Sequence, residues 1–573
     1  MNCSDANPSL HKTALNDTKT YKIIIIGAGV AGLCASNILR DNNIDDYLIL
    51  EARNRIGGRI IAINIEGRQL ELGANWIHGV LGNPIYELAS VNGLIPIVQS
   101  SSSHTVLAAM EDGAKLPFAI LQEMYEVYSV FLKRCEEYFL CRYLPPEGVS
   151  SVGEHLRLER DLYLQKLPEQ QRKSRLLVFD YLMRRETCII GSGDLNAVDL
   201  MEIGSYTELP GGNISLPTGF SSILGPLAKH VPPEKILKGH AVSVVRWNNA
   251  AEDETQLLGA QMKEKQKVEI LCDNGKVFYA DSVICTVPLG VLKHSAKTMF
   301  QPPLPDNKMT SIEKLCYGTV DKIYLEYDRA FFTSELSELI LLWDKTDDTA
   351  DMASRWYRKI YSFTKINDTL LLGWISGEEA KYMETLSFEI VSEKCTEILR
   401  LFLADPFVPK PKRCICTSWW SQPYSRGSYS SIGVGGSQLD IQTIAAPLYA
   451  QPHHTIPSLL FAGEHCHPSF YSTVHGAYLS GLDAARYLCE LPGIVNTQQD
   501  PVTAASDSSN SKQTRTQTSA DADADEEARA PQTSSSRCEN KNVSQKDAST
   551  SDLTLTVEGT ADLSSWLHGI SLN

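Results

Sequence analysis

Two apolar runs near the start of the chain predict neighbouring strands of a buried parallel sheet. The first covers residues 23–26, and the second, residues 47–50, ends at Glu51. Uninterrupted apolar runs of this length are typical of strands that are covered on both faces. A helix-forming stretch separates the two runs. The three segments together predict a strand–helix–strand unit.

Further along the chain, periodicity predicts more strands and helices. Residues 321–327 alternate with period two, which predicts a strand that carries Lys322, Tyr324 and Glu326 on one face. Taken alone, such an alternation is typical of a strand face in contact with solvent. The other predicted elements are a strand at 369–376 and helices at 121–140 and 387–403.

A glycine pattern follows the first predicted strand. Gly27, Gly29 and Gly32 stand at the spacing that makes a tight turn into a helix, whose free N–H groups and positive dipole end bind a pyrophosphate. Glu51 ends the next strand about twenty residues on, where a carboxylate accepts the hydroxyls of an adenosine ribose. The pattern therefore predicts a dinucleotide site.

Two further motifs suggest which dinucleotide is bound. Arg53 and Arg59 flank a pair of glycines and suit a phosphate, and Asn75 and Trp76 lie in the string ELGANWIHG. This string resembles the second fingerprint of the flavin amine oxidase family, whose chain wraps FAD. Near the far end, FAGE with Glu464 and FYSTVHGAYLSG with Thr473 and Val474 resemble the family's closing FAD motif.

The resemblance spans roughly residues 21–490, with Val242 where the family backs the adenine ring. It is strongest to polyamine oxidases of the spermine and N1-acetylpolyamine types. It implies an α/β fold: a Rossmann-like FAD-binding domain of the glutathione-reductase type with a discontinuous α+β substrate-binding domain. The implied boundaries are 1–20 for a flexible N-terminus; 21–84, 206–300 and 414–492 for the FAD-binding domain; 85–205 and 301–413 for the substrate-binding domain; and 496–573 for a disordered tail.

The resemblance also assigns catalytic residues. Family members carry a lysine at the position of Lys322, joined through a water to the flavin N5, and partial desolvation would make such a lysine lose its proton readily. His78, in the string WIHG, is expected to contact the substrate amine. Tyr429, in the string RGSY, is expected to pack over the reacting face of the flavin.

Around Tyr429 the sequence departs from the monoamine oxidases. Those enzymes link FAD to a cysteine directly before this tyrosine, and Ser428 occupies that position here. FAD is therefore expected to be non-covalent. Trp420 is expected to contact the cofactor. Thr473 stands in place of a second cage tyrosine, which leaves the cage half open and suits a long, thin amine.

The implied reaction is oxidation of a secondary amine of spermine, or of N-acetylated spermine or spermidine, to an imine. Water hydrolyses the imine to an aminoaldehyde and a shorter polyamine, and O2 is reduced to H2O2. Two alternatives remain: a lysine-specific demethylase-like or other flavin amine oxidase, and a flavin-fold protein without turnover. The lysine-specific demethylase requires a long coiled-coil insertion, and the sequence shows no heptads for one.

Composition narrows the possible partners and compartments. The 573 residues carry a formal net charge of −16 at pH 7, which disfavours nucleic acid and suits a cationic substrate. No run of eighteen apolar residues predicts a membrane span, and the N-terminus shows no signal peptide. The fourteen cysteines lack framework spacing and predict reduced thiols in the cytoplasm.

Two local features complete the predictions. His465, Cys466 and His467 are consecutive, and three consecutive side chains cannot all face one tetrahedral ion, so no metal is expected. The chain ends Ser-Leu-Asn rather than with the peroxisomal Ser-Lys-Leu address, which favours the cytoplasm over the peroxisome. The sequence carries no signal for an oligomeric state.

Overall fold

The computed structural model describes residues 20–95, 105–248, 267–344 and 351–492. The predicted disordered tail and residues 1–19 of the predicted flexible N-terminus lie outside the described residues. Within the described ranges the fold is mixed α/β.

The strands, in chain order, are β1 Thr20–Ile26, β2 Tyr47–Glu51, β3 Ala62–Ile65, β4 Arg68–Glu71, β5 Trp76–His78, β6 Thr105–Met110, β7 Asn213–Ser215, β8 Ile236–Lys238, β9 Val242–Arg246, β10 Val268–Cys272, β11 Val277–Cys285, β12 Phe300–Gln301, β13 Leu315–Gly318, β14 Val320–Glu326, β15 Leu336–Leu342, β16 Ser362–Asn367, β17 Leu370–Ser376, β18 Arg413–Cys416, β19 Tyr429–Ile432 and β20 Leu459–Phe461.

The α-helices are α1 Val30–Asp41, α2 Pro84–Val91, α3 Phe118–Cys141, α4 Val152–Gln165, α5 Glu169–Ile190, α6 Leu224–Ala228, α7 Leu289–Met299, α8 Asp306–Lys314, α9 Met352–Arg355, α10 Gly377–Met383, α11 Phe388–Leu403, α12 Gln438–Ala445 and α13 Val474–Cys489. The predicted helices 121–140 and 387–403 are thereby confirmed as α3 and α11. Among the described residues, no helix is long and apolar enough to cross a membrane.

An eight-stranded sheet carries the predicted strand–helix–strand unit. Its order is β12-β9-β10-β11-β1-β2-β8, and β20 pairs with β11. β1 lies between β11 and β2 and is parallel to both. Ile23 and Ile25 face one apolar cluster, while Ile24 and Ile26 face another. Because both faces of β1 are covered, its sequence is apolar without interruption.

The turn after β1 brings α1 close to the sheet. A Cβ on Gly32 would lie 2.0 Å from the carbonyl oxygen of Gly27, so only glycine fits at this point of the helix. The other side of α1 packs against α13. The first and last helices of the described chain are therefore neighbours.

A second, six-stranded sheet has the order β18-β14-β17-β16-β15-β6. The predicted strand around Lys322 is confirmed as β14, but all seven of its residues are buried. Its alternate polar positions therefore face protein and not solvent. Of the two-stranded pairs, β5 with β7 and β13 with β19 carry predicted site residues.

The two large sheets draw on different parts of the chain. Strands of the eight-stranded sheet come from 20–51, 236–301 and 459–461, and strands of the six-stranded sheet from 105–110, 320–376 and 413–416. The predicted boundary between residues 413 and 414 falls inside β18. The division into two discontinuous domains stays a prediction.

Candidate functional site

A cavity of about 1210 Å³ runs from the turn after β1 to the faces of α3 and α5. This volume exceeds what a single drug-sized ligand needs. All predicted site residues except Gly32 and Trp420 line it, namely Gly27, Gly29, Glu51, Arg53, Arg59, Asn75, Trp76, His78, Val242, Lys322, Tyr429, Glu464, Thr473 and Val474. Residues predicted from separate motifs therefore share one cavity.

One end of the cavity has the features of a nucleotide site. The first turn of α1 has Gly29 at its N-cap and no capping side chain, so its N–H groups are available to an anion. Glu51 is buried at the end of β2. Its two carboxylate oxygens accept the backbone N–H groups of Ala28 and Arg53, each at 2.8 Å. These bonds fix the carboxylate and leave lone pairs for ligand hydroxyls.

An ion pair between the half-buried Arg59 and the buried Glu464 joins an early and a late segment of the chain at the cavity. Arg59 donates to Glu464 at 2.9 Å and to the backbone oxygen of Ser428 at 2.8 Å. Glu464 also accepts from the Ser430 hydroxyl and from the backbone N–H of Ser472. Burial by itself would raise the pKa of Glu464, but the charge of Arg59 and the hydrogen bonds from Ser430 and Arg59 hold it below the ordinary value.

Lys322 is almost completely buried on β14. Its Nζ donates to the backbone oxygens of Glu71 and Gly73, both at 2.7 Å, and to the Asn75 side-chain oxygen at 2.8 Å. Burial lowers the pKa of Lys322 to about 7, against the opposing charge of Glu71. Lys322 can therefore gain or lose a proton near neutral pH.

Tyr429, the first residue of β19, is held by the C-terminal end of α5. Its hydroxyl donates to the backbone oxygen of Cys188. A Cβ on Gly191, which has φ +74°, would lie 2.3 Å from the tyrosine ring. Burial raises the pKa of Tyr429 well above its ordinary value, so the hydroxyl keeps its proton as a donor.

His78 lies on β5, directly opposite Asn213 of β7. Its Nδ1 lies 3.1 Å from the Asn213 side-chain oxygen, so Nδ1 is the donor and Nε2 remains an acceptor. Burial lowers the pKa of His78, while Asn213 and the charge of Glu208 oppose that shift. The imidazole is therefore kept neutral, as a base for a ligand must be.

The adjacent tryptophans face opposite ways. Trp419 lines the cavity, and its indole N–H donates to the backbone oxygen of Leu72 at 3.1 Å. Trp420 is 42% exposed, with the Lys381 amino group 3.9 Å from its ring centroid. The structure does not bring Trp420 to the cavity, because successive side chains of this turn point apart.

At the N-terminus of α13, Thr473 is the N-cap, and its hydroxyl accepts from the N–H of Gly476 and donates to Phe470. Val474 follows at the cavity wall. The positive end of the α13 dipole thus faces the cavity and favours negative charge there. Ser428, where a linking cysteine would stand, is buried with its hydroxyl bound to the backbone of Val320.

Three carboxylates that sequence reasoning missed also line the cavity: Glu136 on α3, Glu186 on α5 and Glu208. Burial, and then the charges of the other two, raises the pKa of Glu186 to about 7, although Arg185 opposes this. Burial followed by Glu208 raises the pKa of Glu136. The three carboxylates repel one another and are therefore suited to a cationic ligand.

One sequence signal could have revealed Glu136. On α3 the residues Tyr125, Tyr128, Leu132, Glu136 and Leu140 recur at helical spacing and all line the cavity. An acid within an otherwise apolar stripe marks a functional position. Among the described residues, no three His, Cys, Asp or Glu side chains are placed to hold a metal ion.

Comparisons with known proteins agree with these features. Residues 30–489 match the family described as "Flavin containing amine oxidoreductase". The human "Peroxisomal N(1)-acetyl-spermine/spermidine oxidase" is 32% identical over 493 residues, covering 82% of this chain and 95% of that protein. The "Probable polyamine oxidase 5" of Arabidopsis thaliana is 28% identical over 82% of this chain and 98% of its own length.

A third relative has a different name. The "Possible lysine-specific histone demethylase 1" of Drosophila melanogaster is 25% identical over 571 residues, covering 82% of this chain and 63% of that protein.

Proposed function

This chain belongs to the family of flavin-containing amine oxidoreductases, and from that membership we propose that it oxidises a polyamine at a secondary amine. The expected substrates are spermine and the N-acetylated forms of spermine and spermidine. The imine product is hydrolysed to an aminoaldehyde and a shorter polyamine, and O2 is reduced to H2O2. The names of the human and Arabidopsis relatives support this substrate class.

The observation that carries the proposal is the set of carboxylates Glu136, Glu186 and Glu208, which line the same cavity as Lys322 and Tyr429. A polyamine carries several ammonium groups along a flexible chain. Carboxylates with raised pKa values lose that mutual repulsion when cations lie between them, so bound substrate would lower the pKa values of Glu136 and Glu186. A small aryl amine has one ammonium group and compensates only part of this repulsion.

FAD fits the residues of this cavity. We propose that the α1 N-terminus and Arg53 hold its pyrophosphate and that Glu51 holds its ribose, in a Rossmann-like domain of the glutathione-reductase type. Val242, which lines the same cavity, is proposed to back the adenine, and Arg59 with Glu464 is proposed to close the site. With Ser428 in place of a cysteine, FAD is held without a covalent bond. When bound, FAD supplies a two-electron acceptor for the amine.

Three residues are proposed to serve the reaction. His78 offers Nε2 as an acceptor for the amine N–H. Lys322, with a pKa of about 7, holds or releases a proton beside Asn75. Tyr429, fixed by its bond to Cys188, forms a wall of the reacting volume.

The amine must be neutral when it reacts. An alkylammonium with a pKa of about 10.4 requires roughly 4 to 5 kcal/mol for deprotonation at pH 7. A neutral His78 adds no positive charge beside the amine and can accept a hydrogen bond from its N–H. The carboxylates act in the opposite sense on the ammonium groups that do not react, because they stabilise their charge.

The test is flavin bleaching by amines without oxygen. The purified holoenzyme is mixed anaerobically with spermine, spermidine, their N-acetyl forms, benzylamine and a methylated histone peptide. Rapid bleaching by a polyamine, followed by H2O2 release in air, is the expected result. Bleaching by benzylamine alone, or by the peptide alone, would overturn the substrate class, and the second result would favour a demethylase.

Matched variants test the role of the carboxylates. Glu136→Gln should raise the KM for spermine with little change in kcat, because it removes one charge from the binding wall. Glu137→Gln, which changes the exposed neighbour on α3, is the control. Equal KM values for the two variants would contradict the proposal.

For the compartment we propose the cytoplasm, tested by imaging a fluorescent fusion.

A further inference from the structure

Asp321 follows Val320 on β14 and directly precedes Lys322, but its side chain points to the opposite face of the strand. The side chain is fully buried. Its Oδ1 accepts the Thr417 hydroxyl at 2.7 Å and the backbone N–H of Trp419 at 3.2 Å. Its Oδ2 is buried and has no hydrogen-bond partner among the described residues when Asp321 is taken as ionised.

Glu384, which follows α10, holds the same turn. Its two oxygens accept the backbone N–H groups of Trp420 and Ser421, each at 2.8 Å. Three consecutive N–H groups, at positions 419–421, therefore point to two carboxyl groups. Because the turn is short, these carboxyl groups lie beside each other.

Two neighbouring carboxyl groups, one of them buried, do not both ionise readily. Burial, and then the charge of Glu384, raises the pKa of Asp321 well above its ordinary value. In the folded protein Asp321 therefore keeps its proton to a higher pH than an exposed aspartate does. When Oδ2 carries the proton it can donate a hydrogen bond, and the neighbouring Glu384 carboxylate is the acceptor.

The turn held in this way belongs to the cavity wall. The indole N–H of Trp419 donates to Leu72, and its backbone oxygen accepts the N–H of Gly427, two residues before Tyr429. Thr417 and Lys322 exchange two hydrogen bonds, one of them from the Lys322 N–H to the Thr417 hydroxyl that donates to Asp321. Trp419, Lys322 and Tyr429 are thereby all tied to one turn.

We propose that Asp321 is a positioning residue of the amine oxidation site, which holds Trp419 and the Lys322 strand through a proton shared with Glu384. Asp321 is not among the described residues that line the cavity. The proposal rests on the amine oxidase activity of the family and does not depend on which amine is oxidised.

The raised pKa of Asp321 predicts how the stability of this turn changes with pH. A raised pKa in the folded state means that the protonated carboxyl stabilises the turn at low pH and that this stabilisation is lost as the pH rises through the folded-state pKa. Besides Glu384, the titratable groups that act on or face Asp321 are the thiols of Cys416 on β18 and Cys188 on α5. Burial raises the pKa of the Cys188 thiol, and the hydrogen bond with Cys414, followed by burial, raises that of Cys416, so both thiols are neutral at neutral pH.

Two substitutions separate a shared proton from simple packing. Asp321→Asn places an amide that donates to Glu384 and still accepts from Thr417 and Trp419, so it mimics the protonated acid. Asp321→Ala removes every one of these bonds. The control is Glu378→Gln, an exposed carboxylate on α10. Each protein is compared as the FAD-loaded full chain.

The first measurement is hydrogen–deuterium exchange of peptides covering residues 417–427, which needs no substrate. After correction for intrinsic exchange, Asp321→Asn and the control should match the wild type at pH 7, and Asp321→Ala should exchange at least about tenfold faster. As the pH is raised above neutral, the wild type should lose protection and Asp321→Asn should keep it. This comparison decides the proposal even if Asp321→Ala does not fold.

The second measurement is anaerobic flavin reduction by amine. Asp321→Ala should slow it by up to about 100-fold, since small misplacements of reacting groups have effects of this size, while Asp321→Asn should retain it. Protection in Asp321→Ala equal to the wild type, or identical alkaline loss in the wild type and Asp321→Asn, would overturn the proposal. If no polyamine reduces the wild type, the proposed substrate fails and the exchange data still decide this point.

Discussion

The amino group of Lys322 lies 2.7 Å from the backbone oxygen of Gly73, a residue 249 positions earlier in the chain. All three acceptors of Lys322 belong to residues 71–75. None of these acceptors belongs to the α1 turn or to β2, which form the nucleotide end of the cavity.

Lys322→Met should keep FAD bound and slow turnover by at least about 100-fold, because it removes a positioned proton donor and acceptor. The measurements are the ratio of flavin to protein absorbance and single-turnover kinetics. Lys276→Met, at an exposed turn, is the control. Loss of FAD with normal kinetics in the remaining holoenzyme would show that Lys322 is structural.

The same lysine should affect stability in a pH-dependent way. Its folded-state pKa of about 7 lies below the value of about 10.4 in the unfolded chain. Its penalty on folding is therefore full below about pH 7 and disappears as the pH rises to about 10.4. In urea unfolding, the stability advantage of Lys322→Met over the wild type should shrink across this window. A constant difference would contradict the burial of the charge.

Glu51→Gln should weaken FAD retention. The carboxylate accepts two backbone N–H groups and is expected to bind ribose hydroxyls, and charged hydrogen bonds contribute about 1.5 to 3 kcal/mol each. The FAD dissociation constant, measured by flavin fluorescence after dialysis, should rise at least about tenfold. Glu87→Gln, exposed on α2, should leave it unchanged.

FAD should be released intact when the protein is precipitated with acid. Ser428 has a hydroxyl bound to Val320 and no thiol with which to form a thioether. The yellow colour is expected in the supernatant. Colour that stays with the pellet would show a covalent bond elsewhere in the chain.

Gly191→Ala should disturb Tyr429. The new Cβ would lie 2.3 Å from the ring, in addition to the strain of φ +74°. Gly275→Ala is a matched control, because Gly275 has φ +80° and no atom within 4 Å of a new Cβ. Both variants lose about 1 to 2 kcal/mol from backbone strain, but only Gly191→Ala should also lower kcat. Equal kcat values would show that the Tyr429 position is not critical.

Trp419→Phe and Trp420→Phe should differ. Trp419→Phe removes the hydrogen bond to Leu72, about 0.5 to 1.5 kcal/mol, and reshapes the cavity, so the flavin absorption spectrum and kcat should change. Trp420→Phe lies outside the cavity and should resemble the wild type. A changed spectrum and kcat in Trp420→Phe, with none in Trp419→Phe, would favour Trp420 as the residue that contacts the cofactor.

Much of the nucleotide end could be predicted from sequence because its determinants are local. Ile23, Gly27 and Glu51 lie within thirty residues, and their spacing alone sets the turn and the parallel pairing. The burial of β14 could not be predicted from its alternation. Its polar face is covered by Glu71 and Gly73, which come from a distant segment.

The substrate side was harder to predict because its groups are contributed by separate elements. Glu136, Glu186 and Glu208 belong to α3, α5 and a loop, and no short pattern joins them. The sequence motif predicted where Trp419 and Trp420 lie in the chain, but not which of the two side chains faces the cavity. The rotation of this turn is set by Asp321 and Glu384, which bind successive N–H groups.

The Arg59–Glu464 ion pair joins residues 405 positions apart, and β20, just before Glu464, completes the sheet beside β11. During synthesis, most of the chain must leave the ribosome before either contact can form. A nascent chain that lacks β20 and Glu464 would expose the edge of β11 and leave Arg59 without its carboxylate partner, and such sequence-distant contacts form slowly. Chaperones are therefore expected to bind the nascent chain before FAD can bind to it.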